Sequence, residues 1–121
     1  MAAINIARLG VLYGRTSLAN VYEQPSNVIV NALNSNSLVK VNTVSLCNYH
    51  PNTAVVSVDI IRTSESNKRF RIASNVSVPT NATFLAVTKD SMLYLEEGDA
   101  MRLYAGANNM IEAVVSYDLI S

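Results

Sequence analysis

Charged residues are scarce in this chain: they make up 15% of its 121 residues, against roughly 25% in an ordinary soluble domain. Nine basic residues cancel nine acidic ones. A neutral chain projects no large single-sign field, so electrostatic capture of nucleic acid or of an anionic membrane is not expected. The one cysteine, Cys47, excludes an internal disulfide, and its apolar neighbours suggest a small buried residue. The one histidine, His50, must serve any His-dependent chemistry. It precedes Pro51, which places it at a turn, and one Cys with one His is too small a set for zinc. No metal or other cofactor is expected. Only four glycines occur, and neither a Gly-rich phosphate loop nor a Gly-x-Ser-x-Gly elbow is among them. Tryptophan is absent, so no indole can stack a sugar. No stretch approaches the ~18 apolar residues of a membrane-spanning helix. Residues 1–5 lack a basic start and a long apolar run, so no signal peptide is expected.

What the sequence holds instead is alternation. Apolar residues recur at every second position, as in Phe70 and Ile72, Met101 and Leu103, then Ile111, Ala113, Val115 and Tyr117. That period belongs to a half-buried strand. Residues 8–13 read as a strand ending at Gly14, and residues 20–23 as a short β-prone piece closed by Pro25. Val28, Val30 and Ala32 alternate with Asn27, Ile29 and Asn31. Residues 34–37 are a turn signal. Residues 38–49 form the longest run, and its phase changes: Val39 and Val41 share one parity, Val44 and Leu46 the other. A β-bulge at Asn42–Thr43 reconciles them. Residues 53–62 place Ala54, Val56, Val58 and Ile60 on one side. Residues 68–74 turn Phe70 and Ile72 inward and Arg69 and Arg71 outward. Residues 91–97 and 100–104 read as a hairpin joined at Gly98–Asp99, where glycine supplies a positive φ. Eight to ten short strands at this spacing predict an all-β fold: a single-domain antiparallel β-sandwich over residues 1–121, jelly-roll-like.

The candidate site residues are contact residues. Tyr22, Tyr94 and Tyr104 are candidate interface anchors, since tyrosine is enriched at interfaces. Arg69 and Arg71 share an exposed face and meet either solvent or a partner. Glu96, Glu97 and Asp99 form the densest acidic cluster; alternation sends Glu96 and Glu97 to opposite faces, which suits a solvated turn better than a calcium loop or a glycosidase pair. Asn34 and Asn36 lie in a polar loop. An Asn/Ser/Thr surface enters interfaces at less desolvation cost than a charged one, so the composition favours assembly.

One resemblance sharpens this. The segments Val44-Ser45-Leu46-Cys47-Asn48, Leu95-Glu96-Glu97-Gly98-Asp99 and Val115-Ser116-Tyr117, with the earlier Val21-Tyr22-Glu23-Gln24-Pro25, follow one another in a familiar order. In that order the chain resembles the small virion structural proteins of tailed bacteriophages, with their "L-C-N" strand, "L-x-x-G-D" hairpin and "V-S-Y" final strand. The resemblance implies a non-enzymatic subunit made in the host cytoplasm and resident in the virion, decorating the capsid or joining neck and tail. Its partners would be copies of itself and the major capsid or neck and tail proteins, with no nucleic acid and no membrane. It supplies no catalytic residues. The contact elements would be the N-terminal arm (residues 1–18, chiefly 2–14), the loop 34–37 and the turn 96–99. The alternative is a carbohydrate- or receptor-binding module at a fibre tip, using Tyr49, Tyr94 or Tyr104.

Overall fold

The computed structural model describes residues 10–121; the part of the expected N-terminal arm before residue 10 lies outside them. Nine strands follow: β1 Leu12–Val21, β2 Ser26–Val30, β3 Leu38–Asn48, β4 Ala54–Arg62, β5 Lys68–Val78, β6 Thr83–Val87, β7 Leu93–Leu95, β8 Asp99–Ala105 and β9 Ile111–Ile120. They make two sheets. One has the order β1-β9-β3-β6, with β7 also paired to β3; the other has the order β2-β8-β4-β5. All pairings are antiparallel, and they nest: β4 with β5, β3 with β6 and β7, β2 with β8, β1 with β9. This is a long hairpin rolled into two facing sheets, the jelly-roll arrangement of a β-sandwich.

The core is the set of inward side chains of both sheets. Val39, Val41, Val44 and Leu46 of β3 meet Val56 and Val58 of β4 and Met101 and Leu103 of β8, with Ile111, Ala113 and Val115 of β9 beside them. The phase change in β3 is a bulge: the register against β9 slips between Val41 and Thr43. The slip keeps both halves of β3 pointing their valines and leucines inward. In β2 the slip falls between Asn27 and Ile29; Ile29 is buried and Val30 exposed. Several turns place asparagine at positive φ, as at Asn34, Asn36, Asn67, Asn81 and Asn109. Asparagine tolerates that region better than most residues because its short side chain bonds locally. The Asn-rich composition is in part a turn requirement.

Four expectations are corrected. Gly14 does not end a strand; it lies inside β1, opposite Asp118. β5 runs on to Val78, bending through Asn75 at φ 50 with two register slips against β4. Phe70 is 52% exposed, because it sits near the open end of β5, beyond the core. Residues 91–104 are not a hairpin. β7 pairs with β3 in one sheet and β8 with β4 and β2 in the other, so Glu96–Gly98 is a crossover between layers. Leu95, fully buried, is held against Val39 of β3, and that pairing overrides the local hairpin.

Candidate functional site

Three surfaces gather the residues in question. The first is the end of the sandwich where the 34–37 loop meets the 96–98 crossover. Gly98 has φ 88; its N–H donates to the Asn31 carbonyl at 2.7 Å, and its own carbonyl accepts from Thr63 N–H at 2.9 Å. Asn31, buried beside it, donates from Nδ2 to the carbonyls of Ser37 and Leu95. Asn36 N–H donates to Glu97 Oε2 at 3.1 Å, so the two loops touch through residues already singled out. Asp99 is buried, accepting from Arg62 Nε and Nη2 at 2.8 Å each and from Glu96 N–H at 2.9 Å. Arg62 also reaches Glu96 Oε2 at 3.0 Å. Hydrogen bonding to Asp99 holds the Arg62 guanidinium above its ordinary pKa, against the opposing effect of burial. The cluster is an internally satisfied brace, with Asn34 and Asn36 at its exposed rim. A groove of about 420 Å³ runs alongside, lined by Val30, Leu33, Ile61 and Asn67 among others.

The second surface is the outer face of the β2-β8-β4-β5 sheet. Asp59 is wholly buried there beneath arginines. Arg102 donates to both its oxygens at 3.0 and 3.1 Å, and Arg69 Nε lies 3.5 Å away. Arg71 is opposite Asp59 in the ladder. Arg102 also stands over the Tyr104 ring, 5.9 Å from its centre. Hydrogen bonding to Asp59 raises the Arg102 pKa. The face thus carries three arginines around one carboxylate, and Arg69, Arg71 and Tyr104 belong together on it.

The third is the outer face of the other sheet, with its edge strand. Leu18 lies opposite Val114, Val114 opposite Ser45, and Ser45 opposite Leu85. This row crosses four strands, and Leu18 is 74%, Val114 42% and Leu85 55% exposed. The next row holds Asn20, Glu112, Cys47 and Thr83. Cys47 is therefore half-buried on the outer face, not in the core, because its neighbours Leu46 and Asn48 take the inward parity. Tyr94 lies opposite Lys40 on this sheet. Tyr22 follows β1 and is exposed, its carbonyl accepting from Ala105 N–H.

Tyr49, Tyr94 and Tyr104 do not converge. Tyr94 belongs to one sheet and Tyr104 to the other, and Tyr49 follows β3, donating from its N–H to Met110. His50 is tied into its turn: its N–H donates to Asn48 Oδ1 at 2.9 Å, and its Nδ1 accepts from Asn52 N–H at 3.2 Å. Among the described residues no group of three or more His, Cys, Asp or Glu side chains gathers as a metal site. No helix among them is long and apolar enough to cross a membrane.

Sequence reading missed Asp59, Arg62, Arg102 and Asn31. A signal existed. Asp59-Ile60-Ile61-Arg62 and Asp99-Ala100-Met101-Arg102 repeat one pattern. Antiparallel pairing of two such segments sets each acid against the other's arginine, and the register does so: Asp59 with Arg102, Arg62 with Asp99.

No protein-family model matches the sequence, and no curated protein matches it. The likeness to known proteins is one of fold. The chain is similar to a subunit of Bacillus endospore appendages, described as disulfide-linked pili, at TM-score 0.54 and 6% identity over 91% of this chain and 85% of that one. It is similar to a chain of the acid-stable capsid of Helicobacter pylori bacteriophage KHP30, at TM-score 0.50 and 11% identity over 93% of this chain and 90% of that one. It also matches part of a chain from the T13 particle of infectious bursal disease virus, at TM-score 0.51 and 9% identity, covering 93% of this chain and 31% of the viral one. The jelly-roll sandwich of this protein is a fold shared with viral capsid and pilus proteins.

Proposed function

We propose that this chain is a non-enzymatic structural subunit of a virus particle. It binds copies of itself and other particle proteins. Its place is that of an accessory subunit of a tailed phage, decorating the capsid or joining neck and tail. The observation that carries this reading is the apolar row Leu18–Val114–Ser45–Leu85, left open on a jelly roll whose surface is poor in charge. Large exposed apolar side chains in one row mark a contact surface, and low charge lowers the cost of covering it. The fold-level likeness to the KHP30 capsid chain over nearly the whole length of both supports the same reading. The polar groups described above are satisfied by one another, which suits a scaffold.

The test is direct. Particles purified by density gradient from cells carrying the gene should contain this chain in fixed proportion to the major shell protein, as read by quantitative mass spectrometry. Absence of the chain from particles purified from cells that make it would overturn the reading.

A fibre subunit is the second reading, favoured by the likeness to the Bacillus appendage. Cysteine count constrains it. With Cys47 alone, a disulfide can join two copies but cannot run on from copy to copy, so such a fibre would be held without covalent links. Electron microscopy of the assembled protein separates shells from fibres.

A further inference from the structure

The sheets have four edges, and three are blunted. β2 has five residues, follows Pro25 and is broken by a register slip. β6 and β7, with five and three residues, are short. β5 slips twice and carries Lys68, Arg69 and Arg71. These are the usual devices against edge-to-edge pairing. β1 has none of them. It has ten residues, holds an unbroken register with β9, and carries Arg15 as its single charge. Its first half is exposed on both faces, with Leu12 62% and Tyr13 51% open. Among the described residues no strand pairs with its outer edge.

The ladder shows which groups point outward. Val11 and Ser121 exchange two backbone hydrogen bonds, both 2.8 Å. Counting along the continuous register, Tyr13, Arg15, Ser17 and Ala19 also turn their N–H and C=O groups to β9. Those of Leu12, Gly14, Thr16, Leu18 and Asn20 then point away from the sheet.

We propose that this edge pairs antiparallel with the same edge of a second copy of this chain, about a two-fold axis at Thr16. The proposal rests on the self-association in the reading above and names its seat. A two-fold axis at Thr16 sets every outward residue against another outward one: Leu12 against Asn20, Gly14 against Leu18, Thr16 against Thr16. Each such pair exchanges two hydrogen bonds. The side chains fit in the same register. Leu18, the most exposed large side chain of this row, meets Gly14. On the other face Tyr13 meets Ala19, and Arg15 meets Ser17, so large faces small and no two charges oppose. Such an isologous contact closes on itself and joins two five-stranded sheets into one. Among the described residues no other edge combines such length with an unbroken register, which makes a second β1 the complementary partner.

Thr16 allows a clean test. Its N–H points away from β9, so Thr16→Pro leaves the β1–β9 ladder its bonds while removing the donor at the axis from both copies. Sedimentation of the full-length protein should show a dimer, or a multiple of it. Thr16→Pro should weaken the dimer at least tenfold, and Thr16→Val, which keeps the donor, should not. Hydrogen exchange at Leu12, Thr16 and Leu18 should slow as concentration rises. A monomeric wild type overturns the proposal. So does association of folded Thr16→Pro equal to wild type, or Thr16→Val as weak as Thr16→Pro. Protection of those amides at dilutions where sedimentation finds only monomer also overturns it. If Thr16→Pro leaves the chain in the particle while breaking nothing in solution, the edge is wrong and the subunit reading stands; a chain absent from particles removes that reading itself.

Discussion

Asp59 of β4 stands directly opposite Arg102 of β8 and receives both prongs of its guanidinium, although it lies on the outer face of a sheet. The carboxylate has no contact with water. Arg102 is its hydrogen-bonding partner, with Arg69 a more distant second at 3.5 Å. Removing Arg102 strands a buried charge, whereas removing both members leaves none.

Arg102→Ala should therefore cost about 3 kcal/mol of stability. The double replacement Asp59→Leu/Arg102→Met should return to within about 1 kcal/mol of wild type. Urea titration followed by circular dichroism measures both. If the single variant is as stable as the parent, the pair is ornamental.

Asp99→Leu should be as harmful, by roughly 3 kcal/mol, because Arg62 loses both short bonds and Glu96 N–H loses its acceptor. Added salt should narrow the gap between wild type and variant only a little, since a pair with Asp99 buried is weakly screened. Closure of that gap in high salt would place the interaction at the surface.

At Gly98 the backbone is the constraint. With φ 88, and with an added Cβ falling 2.9 Å from Leu33 Cδ2, Gly98→Val should lose about 1–3 kcal/mol. Leu33 can move aside, so the Gly98→Val/Leu33→Ala double variant should recover only a small part. An unshifted melting temperature for Gly98→Val would mean that the crossover tolerates another path.

Asn48→Ala should destabilise by about 2–4 kcal/mol. Its wholly buried side chain donates to the carbonyls of Asn52 and Val78, both at 2.9 Å, and accepts from His50 N–H. Faster amide exchange confined first to residues 49–52 would show that this loop is what Asn48 ties down.

The strands were legible because alternation is a local property. So was the bulge in β3: the change of parity between Val41 and Val44 has no other economical solution in a strand buried on one face. Pairing partners are not local. Nothing within residues 91–104 says that Leu93–Leu95 belongs to β3, so a crossover looks like a hairpin. Gly14 was misleading for a related reason. Glycine marks turns on average, yet here it sits at an ordinary strand position. Of the contact residues, Arg69 and Arg71 share a face as alternation implies, whereas the meeting of Asn36 with Glu97, 61 residues apart, is invisible to spacing. The buried ion pairs escaped notice because each half of the Asp-x-x-Arg repeat is unremarkable alone and acquires meaning only once β4 and β8 are neighbours.

The nested winding has an outcome for biogenesis. β1 leaves the ribosome ahead of the other eight strands, but its hydrogen-bonding mate is β9, the last of the nine in chain order, which also separates β1 from β3. Until β9 is made, β1 has no sheet to be the edge of. A polypeptide released before β9 is made would thus present neither this sheet nor its long outer edge, and truncated copies would be told apart by their own incomplete fold.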